Sequence, residues 1–168
     1  MEGNCNDKTI SCSNVRVEKP DLHKSKPYKD FGQGFYLSDD KQQAWDIAYS
    51  KVAQLKTGKA MVSTFLFDDS VILSNELNIK IFNDYSEEWA RFILMNRDKS
   101  ELQPSHNFDI VYGPIADDGV TFQLRRFWGG VISIEKLIEE LKYAKGITFQ
   151  YYFGTENALN KLCYDTTE

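Results

Sequence analysis

The stretch Asp30-Phe31-Gly32-Gln33-Gly34-Phe35-Tyr36-Leu37-Ser38-Asp39-Asp40 constrains this chain more than any other. Two glycines one residue apart, set between aromatic residues and followed at once by Ser-Asp-Asp, describe a tight turn that runs into a short strand and then a helix start. Glycine is used where a Cβ would clash, either with the chain itself at positive φ or with something lying against the backbone. Two readings follow, a turn beside a packed strand and a ligand site. Phe35 and Tyr36 point to opposite faces of a strand, so one can enter the core while the other lines a cleft.

With 168 residues, the chain fits one domain that can bury its core without staples. Residues 1–8, rich in Asn, Asp and Gly, read as a disordered lead-in, and residues 9–168 as the domain. A net charge of −5 argues against a general nucleic-acid or membrane-surface binder, because phosphate affinity comes from clustered Lys and Arg. The segment Arg16 to Lys29 is locally basic, with Lys19, Lys24 and Lys26 between them, and reads as a solvated loop or as a phosphate-contacting lip. Cys5, Cys12 and Cys163 show neither a disulfide framework nor metal spacing. With no apolar leader and no membrane-length run, the expected location is the cytoplasm, its own or that of a target cell. His23 and His106 sit in polar loops and read as surface residues, and with no metal spacing between them they argue against a hydrolytic triad or a zinc enzyme.

Patterning predicts a strand near Thr9 to Ser13 and an extended crossing through Pro20 and Pro27. A helix follows, capped by Ser38 or Asp39, with Ala44, Ile47, Ala48, Val52 and Leu55 on one face and Gly58 as its stop. Ala60 to Phe67 reads as a buried strand and Val71 to Leu73 as a second short one. Ser86 starts a helix carrying Trp89, Phe92 and Ile93, and Asp109 to Pro114 is strand then stop. Asp117-Asp118-Gly119 reads as a turn before a strand over Val120 to Leu124. Ser133 caps a helix carrying Ile134, Leu137, Ile138 and Leu141. Ile147 to Phe153 is a last strand, and Thr155 caps a last helix with Ala158, Leu159 and Leu162. Strands and helices intersperse without a βαβ rhythm, so the class is α+β.

Four ordered blocks carry a resemblance: Asp30 to Asp40, Trp89 to Arg97, Asp109 to Asp118, and Gln150 to Leu162 with Phe-Gly-Thr-Glu-Asn-Ala-Leu near its middle. Together they resemble a bacterial family of ADP-ribosyltransferase-like domains, over about Asn14 to Tyr164. The wider superfamily includes diphtheria toxin and the poly(ADP-ribose) polymerases, and Gly-Gln-Gly-Phe-Tyr-Leu-Ser-Asp-Asp-Lys looks like their nicotinamide-pocket phrase. The resemblance implies a split β-sandwich with helices around two small sheets and NAD, as substrate, in the cleft between them. It further implies that Gly34, with Gly32 and Phe35 beside it, offers backbone near the nicotinamide, that Tyr36 stacks on that ring, and that Gln150 stands where relatives keep a glutamate on the ribose 2′-hydroxyl.

The departures are as specific as the matches. Ile10-Ser11-Cys12-Ser13 lies where such families open with Tyr-His-Gly-Ser, leaving Ser11 and Ser13 as the ribose-side contacts. Ile47 stands where a second stacking aromatic is usual, and Trp45 and Tyr49 point elsewhere on the helix. Gln150 can orient the ribose but carries no charge, and Asp117 is the candidate for the missing acid. Three functions follow: a toxin-like NAD-dependent mono-ADP-ribosyltransferase acting on an intracellular protein or nucleic acid, with a small cognate neutralising protein as a further partner; a catalytically degenerate module of that fold that binds a nucleotide or protein; or a different transfer from the same fold, such as removal of an RNA 2′-phosphate onto NAD, which calls for a denser set of cationic residues than the chain offers.

Overall fold

The computed structural model describes residues 15–101, 104–143 and 146–168, together with the backbone of residues 8–13. The lead-in expected over residues 1–8 lies outside the described residues except for Lys8, which opens the first strand. The elements run β1 (Lys8–Ser13), β2 (Phe35–Ser38), α1 (Lys41–Leu55), β3 (Met61–Phe67), β4 (Ile79–Ile81), α2 (Glu87–Arg97), β5 (Ile110–Pro114), α3 (Asp118–Trp128), α4 (Ile134–Lys142), β6 (Phe149–Phe153), α5 (Glu156–Leu159) and β7 (Leu162–Thr167). Short 3-10 turns cover Leu22–Lys24 and Asp69–Ile72. The class is α+β.

The strands follow the order β4-β5-β6-β2-β1-β3-β7, antiparallel except for β4 beside β5. β1 meets β2 through one residue pair, Ile10 with Ser38, whereas β1 and β3 pair over six. The order therefore divides at that joint into two small sheets, β4-β5-β6-β2 and β1-β3-β7. They face each other across an apolar core in which Leu37, Ile110 and Phe153 of the first meet Phe65 and Phe67 of the second. Phe67 stands edge-on to Phe153 at 5.4 Å and Phe35 edge-on to Phe65 at 5.5 Å, a geometry that aromatic quadrupoles favour.

The opposite face of the first sheet carries a second core, where Val111 and Phe31 meet Trp89 and Ile93 of α2, Val120 and Leu124 of α3, and Leu137 and Leu141 of α4. α1 covers the second sheet with Ala44 and Ala48 against Val62. Because β2 alternates, Phe35 and Leu37 enter the core between the sheets while Tyr36 packs with the helix-covered one.

Several local expectations change. Asp40, not Ser38 or Asp39, caps α1, accepting from the N–H groups of Gln42 and Gln43, and Lys56 at φ 53° closes that helix before Gly58. Val71 and Ile72 lie in a 3-10 turn because the Asp68 side chain captures the Ser70 N–H. Val120 to Leu124 is helix: Asp117 accepts from the Val120 N–H and starts α3 where a turn and strand were expected. α5 stops at Leu159, and Leu162 begins β7. Among the described residues no helix is long and apolar enough to cross a membrane.

Candidate functional site

The glycine turn is built by two tyrosines from neighbouring strands, Tyr36 on β2 and Tyr152 on β6, which are directly paired. Tyr36 donates its hydroxyl hydrogen to the Gly32 carbonyl at 2.7 Å and accepts from the Phe31 N–H at 3.0 Å, bridging the turn that Gly32 makes at φ +94°. Burial pushes the Tyr36 hydroxyl well above its ordinary value, so it remains a donor at any physiological pH. The ring lies parallel to Phe31 at 6.3 Å, and the Lys29 ammonium sits 4.9 Å from its centroid.

Gly34 serves the fold. A Cβ there would come within 2.3 Å of Tyr152 Cε2 and 2.7 Å of the Phe153 carbonyl oxygen, and one on Gly154 would meet the same ring at 2.6 Å. The two glycines clamp Tyr152, whose hydroxyl donates to the Gln33 carbonyl at 3.2 Å. Close packing against Tyr152 and the Phe153 carbonyl by itself requires glycine at position 34.

An open cleft of about 840 Å³ lies beside the turn, between α1, the segment 15–30, β2 and β6. Five of the residues singled out from the sequence line it: Gly34, Phe35, Tyr36, Ile47 and Gln150. Arg16, Lys19, Lys24, Lys29 and Lys51 bring five cations to the same cleft against Glu18, Asp21 and Asp30. The basic segment is thus a wall of the cleft. Its size is within the range of roughly 300–1,000 Å³ typical of small-molecule sites.

At the floor, Gln150 Nε2 donates to Asp30 Oδ2 at 3.2 Å. Asp30 is itself fixed: Oδ2 accepts from the Ala116 N–H at 3.0 Å, and Oδ1 from Arg97 Nε at 3.0 Å and Nη2 at 2.5 Å. Arg97 also donates to the Ala116 carbonyl and to Thr121 Oγ1. Their side chains are 13% and 26% exposed, so this ion pair is largely withdrawn from water. Neither Asp30 nor Arg97 was assigned a role from sequence; the one signal was an acid opening the glycine phrase.

The remaining expected residues lie elsewhere. Asp117 is not among the residues that line this cleft; its Oδ1 accepts from the Val120 N–H at the α3 cap. Gly32 lines a different cavity, of about 350 Å³, with His106, Asn96 and Tyr152. Ser11 and Ser13 lie in β1 opposite Ser63 and Met61, and their side chains fall outside the described ones. Trp45 and Tyr49 stack on each other at 5.6 Å away from the cleft, as the helix spacing indicated.

His106 is a correction. It is not a surface residue: it is half-buried, lies parallel to Phe92 at 4.8 Å, donates from Nε2 to the Phe31 carbonyl at 2.7 Å, and accepts at Nδ1 from the Phe108 N–H at 3.1 Å. Burial lowers its pKa, and the Phe108 contact requires Nδ1 to be unprotonated. Among the described residues no group of His, Cys, Asp and Glu is placed to hold a metal.

No curated protein and no solved structure matches the chain. One family model does, that of the Protein of unknown function (DUF3990), and it runs over residues 11–164, from β1 through the glycine turn and the Asp30–Gln150 contact into β7. On that match the chain belongs to the DUF3990 family.

Proposed function

We propose that the protein is an NAD-dependent mono-ADP-ribosyltransferase of toxin-like type, acting in a cytoplasm on a protein or nucleic-acid acceptor. One observation carries the reading: Tyr36, Phe35, Ile47 and Gln150, from three different elements, converge on one cleft whose other wall is cationic. In the reaction the bond between ribose C1′ and the nicotinamide nitrogen breaks, and its electron pair stays on nicotinamide, which leaves neutral. The acceptor's nucleophile then bonds C1′ and gives its proton to solvent. Positive charge develops on the ribose before the new bond forms, so what matters is how the ribose and the leaving ring are held.

In this reading the Tyr36 ring stacks on the nicotinamide, and its hydroxyl, tied to both sides of the glycine turn, keeps the ring from swinging. Gln150 accepts from a ribose hydroxyl, and the cations of the segment 16–29 with Lys51 face the diphosphate. Two facing sheets joined at one residue pair support a split sandwich of ADP-ribosyltransferase type.

Calorimetric titration with NAD, alongside Tyr36→Ala, followed by an assay of released nicotinamide, tests the reading. The expected result is saturable binding weakened at least tenfold by Tyr36→Ala in protein that still melts cooperatively, with nicotinamide release by the wild type. Absence of binding at millimolar NAD would overturn it.

A binding-only module is the second reading, and a specific contact favours it: Lys29 lies over the Tyr36 ring that the nicotinamide would need, while Gln150 brings no charge to a developing cation. Expression separates the two. An active transferase impairs its host unless Tyr36 or Gln150 is replaced or a cognate neutralising protein is present, whereas a module is tolerated in every version.

A further inference from the structure

An amide at the position of Gln150 has two unlike ends. Nε2 only donates and Oε1 only accepts, so the side chain can receive a ribose hydroxyl hydrogen only when the oxygen faces the cleft. A carboxylate has no such requirement. Which end faces inward is set by the neighbour of the other end, and that neighbour is Asp30, 3.2 Å from Nε2. Both Asp30 oxygens already accept hydrogens from other donors, so the reverse orientation would set the amide oxygen against an acceptor. Asp30 cannot turn away, because Arg97 holds one of its oxygens twice and the Ala116 N–H holds the other. Arg97 is in turn anchored on Thr121 and the Ala116 carbonyl.

We infer that Asp30 is a positioning residue for the proposed transfer: secured by Arg97, it fixes the Gln150 amide with Oε1 toward the cleft, so that a neutral glutamine acts as the acceptor a glutamate would otherwise be. The inference rests on the transferase reading for its catalytic meaning and on the Asp30–Gln150 contact for its geometry. It explains how Gln150 can serve without a charge: orientation is supplied from a segment 120 residues away.

The test is a set of variants, Asp30→Asn, Gln150→Glu and the pair, assayed for nicotinamide release over a range of NAD concentration and pH, with the Gln150 side-chain amide followed by ¹⁵N NMR. Asparagine donates as well as accepts, so Asp30→Asn frees the amide to flip. The expected kcat falls about 10- to 100-fold with KM within threefold. Gln150→Glu in the presence of Asp30 sets two carboxylates side by side, which raises the pKa of the new glutamate and moves the acidic limb of the rate profile to higher pH. In the pair, glutamate needs no orienting partner, activity returns to within about threefold of wild type, and the acidic limb moves back down. A purely structural Asp30 predicts the pair to be as poor as Asp30→Asn, and that result overturns the inference. If Asp30→Asn does not fold, the acidic limb of Gln150→Glu decides: a limb at the position of an isolated glutamate overturns it.

The NMR arm separates this failure from that of the transferase reading. A Gln150 amide signal at solvent-exposed values that Asp30→Asn leaves unmoved overturns the orientation whatever the kinetics. A displaced signal that Asp30→Asn returns to exposed values, with no nicotinamide released by wild type, upholds the contact and overturns the catalytic role.

Discussion

Tyr36 and Tyr152 are neighbours on adjacent strands, 5.4 Å apart edge to face, and both have hydroxyls that donate to carbonyls of the glycine turn. Burial raises both hydroxyl pKa values, that of Tyr152 to about 12. Yet Tyr152 is clamped between Gly34 and Gly154 and lines the small cavity with His106, while Tyr36 lines the large cationic cleft beside Gln150. The same residue type at the same sheet level therefore does two jobs. Of the two glycines of the phrase, Gly34 packs on Tyr152 and Gly32 makes the turn that Tyr36 bridges, and what distinguishes the cleft side is its side chains: Tyr36, Lys29, and the chain of contacts from Gln150 through Asp30 to Arg97.

The sharpest break in this contrast is Gly34→Ala. The new methyl meets a ring carbon at 2.3 Å and a backbone oxygen at 2.7 Å, and only the first can move. The expected loss is about 3 kcal/mol in chemical denaturation, the upper part of the range for overpacking. Adding Tyr152→Leu recovers part of it, because the carbonyl contact remains. A loss of NAD binding with stability unchanged would mean that Gly34 serves the ligand after all.

Arg97→Met is expected to cost about 2 to 3 kcal/mol, since it leaves Asp30, 13% exposed, without its two charge-assisted bonds while keeping much of the side-chain volume. Unlike Gly34→Ala, it also loosens the orientation of Gln150, so it is expected to lower the rate of nicotinamide release in protein that remains folded. Tyr36→Phe is smaller, about 1 to 2 kcal/mol, the loss of one hydroxyl that satisfies the Phe31 N–H and the Gly32 carbonyl together. With its ring in place, NAD affinity is expected to stay within about threefold of wild type by calorimetry. A tenfold loss would assign the hydroxyl, not the ring face, to the ligand.

Much of the skeleton was legible in the sequence because it is local. Ser86, Ser133 and Thr155 cap α2, α4 and α5 as their spacing indicated, and the run from Phe35 after two glycines is β2. α3 was read as a strand because Val120, Phe122 and Leu124 alternate; the same stretch also carries Val120, Leu124 and Phe127 at helical spacing, and Asp117 at the cap decides between them. β7 carries no strand signature, because Asp165, Thr166 and Thr167 are polar and its pairing with β3 joins segments about 100 residues apart. Of the cleft-lining residues, Tyr36, Ile47 and Gln150 were singled out through the resemblance, whereas the Asp30–Arg97 pair beneath Gln150 was not. Their meaning lies in contacts with each other and with Gln150 across 67 and 120 residues, and no local pattern records such a contact.

The smallest expected effect is on the Tyr152 side and depends on pH. His106 braces the turn from that cavity, donating to the Phe31 carbonyl and accepting from the Phe108 N–H, and burial lowers its pKa from the ordinary value of 6.5. A depressed pKa means that below about 6.5 the unfolded chain takes up a proton the native state resists. The stability contributed by neutral His106 is therefore fully present above that pH and is lost as pH falls through the lower, folded value. Groups that titrate alike in both proteins cancel in the difference between wild type and His106→Gln, which isolates the histidine. Urea melts at pH 7.5 and pH 5.5 are expected to show a smaller pH dependence in the variant, with NAD affinity at pH 7.5 unchanged. An equal pH dependence in both would show that the ring titrates freely in the native state. A change in NAD affinity would join the two cavities, and the two tyrosines would then share one site.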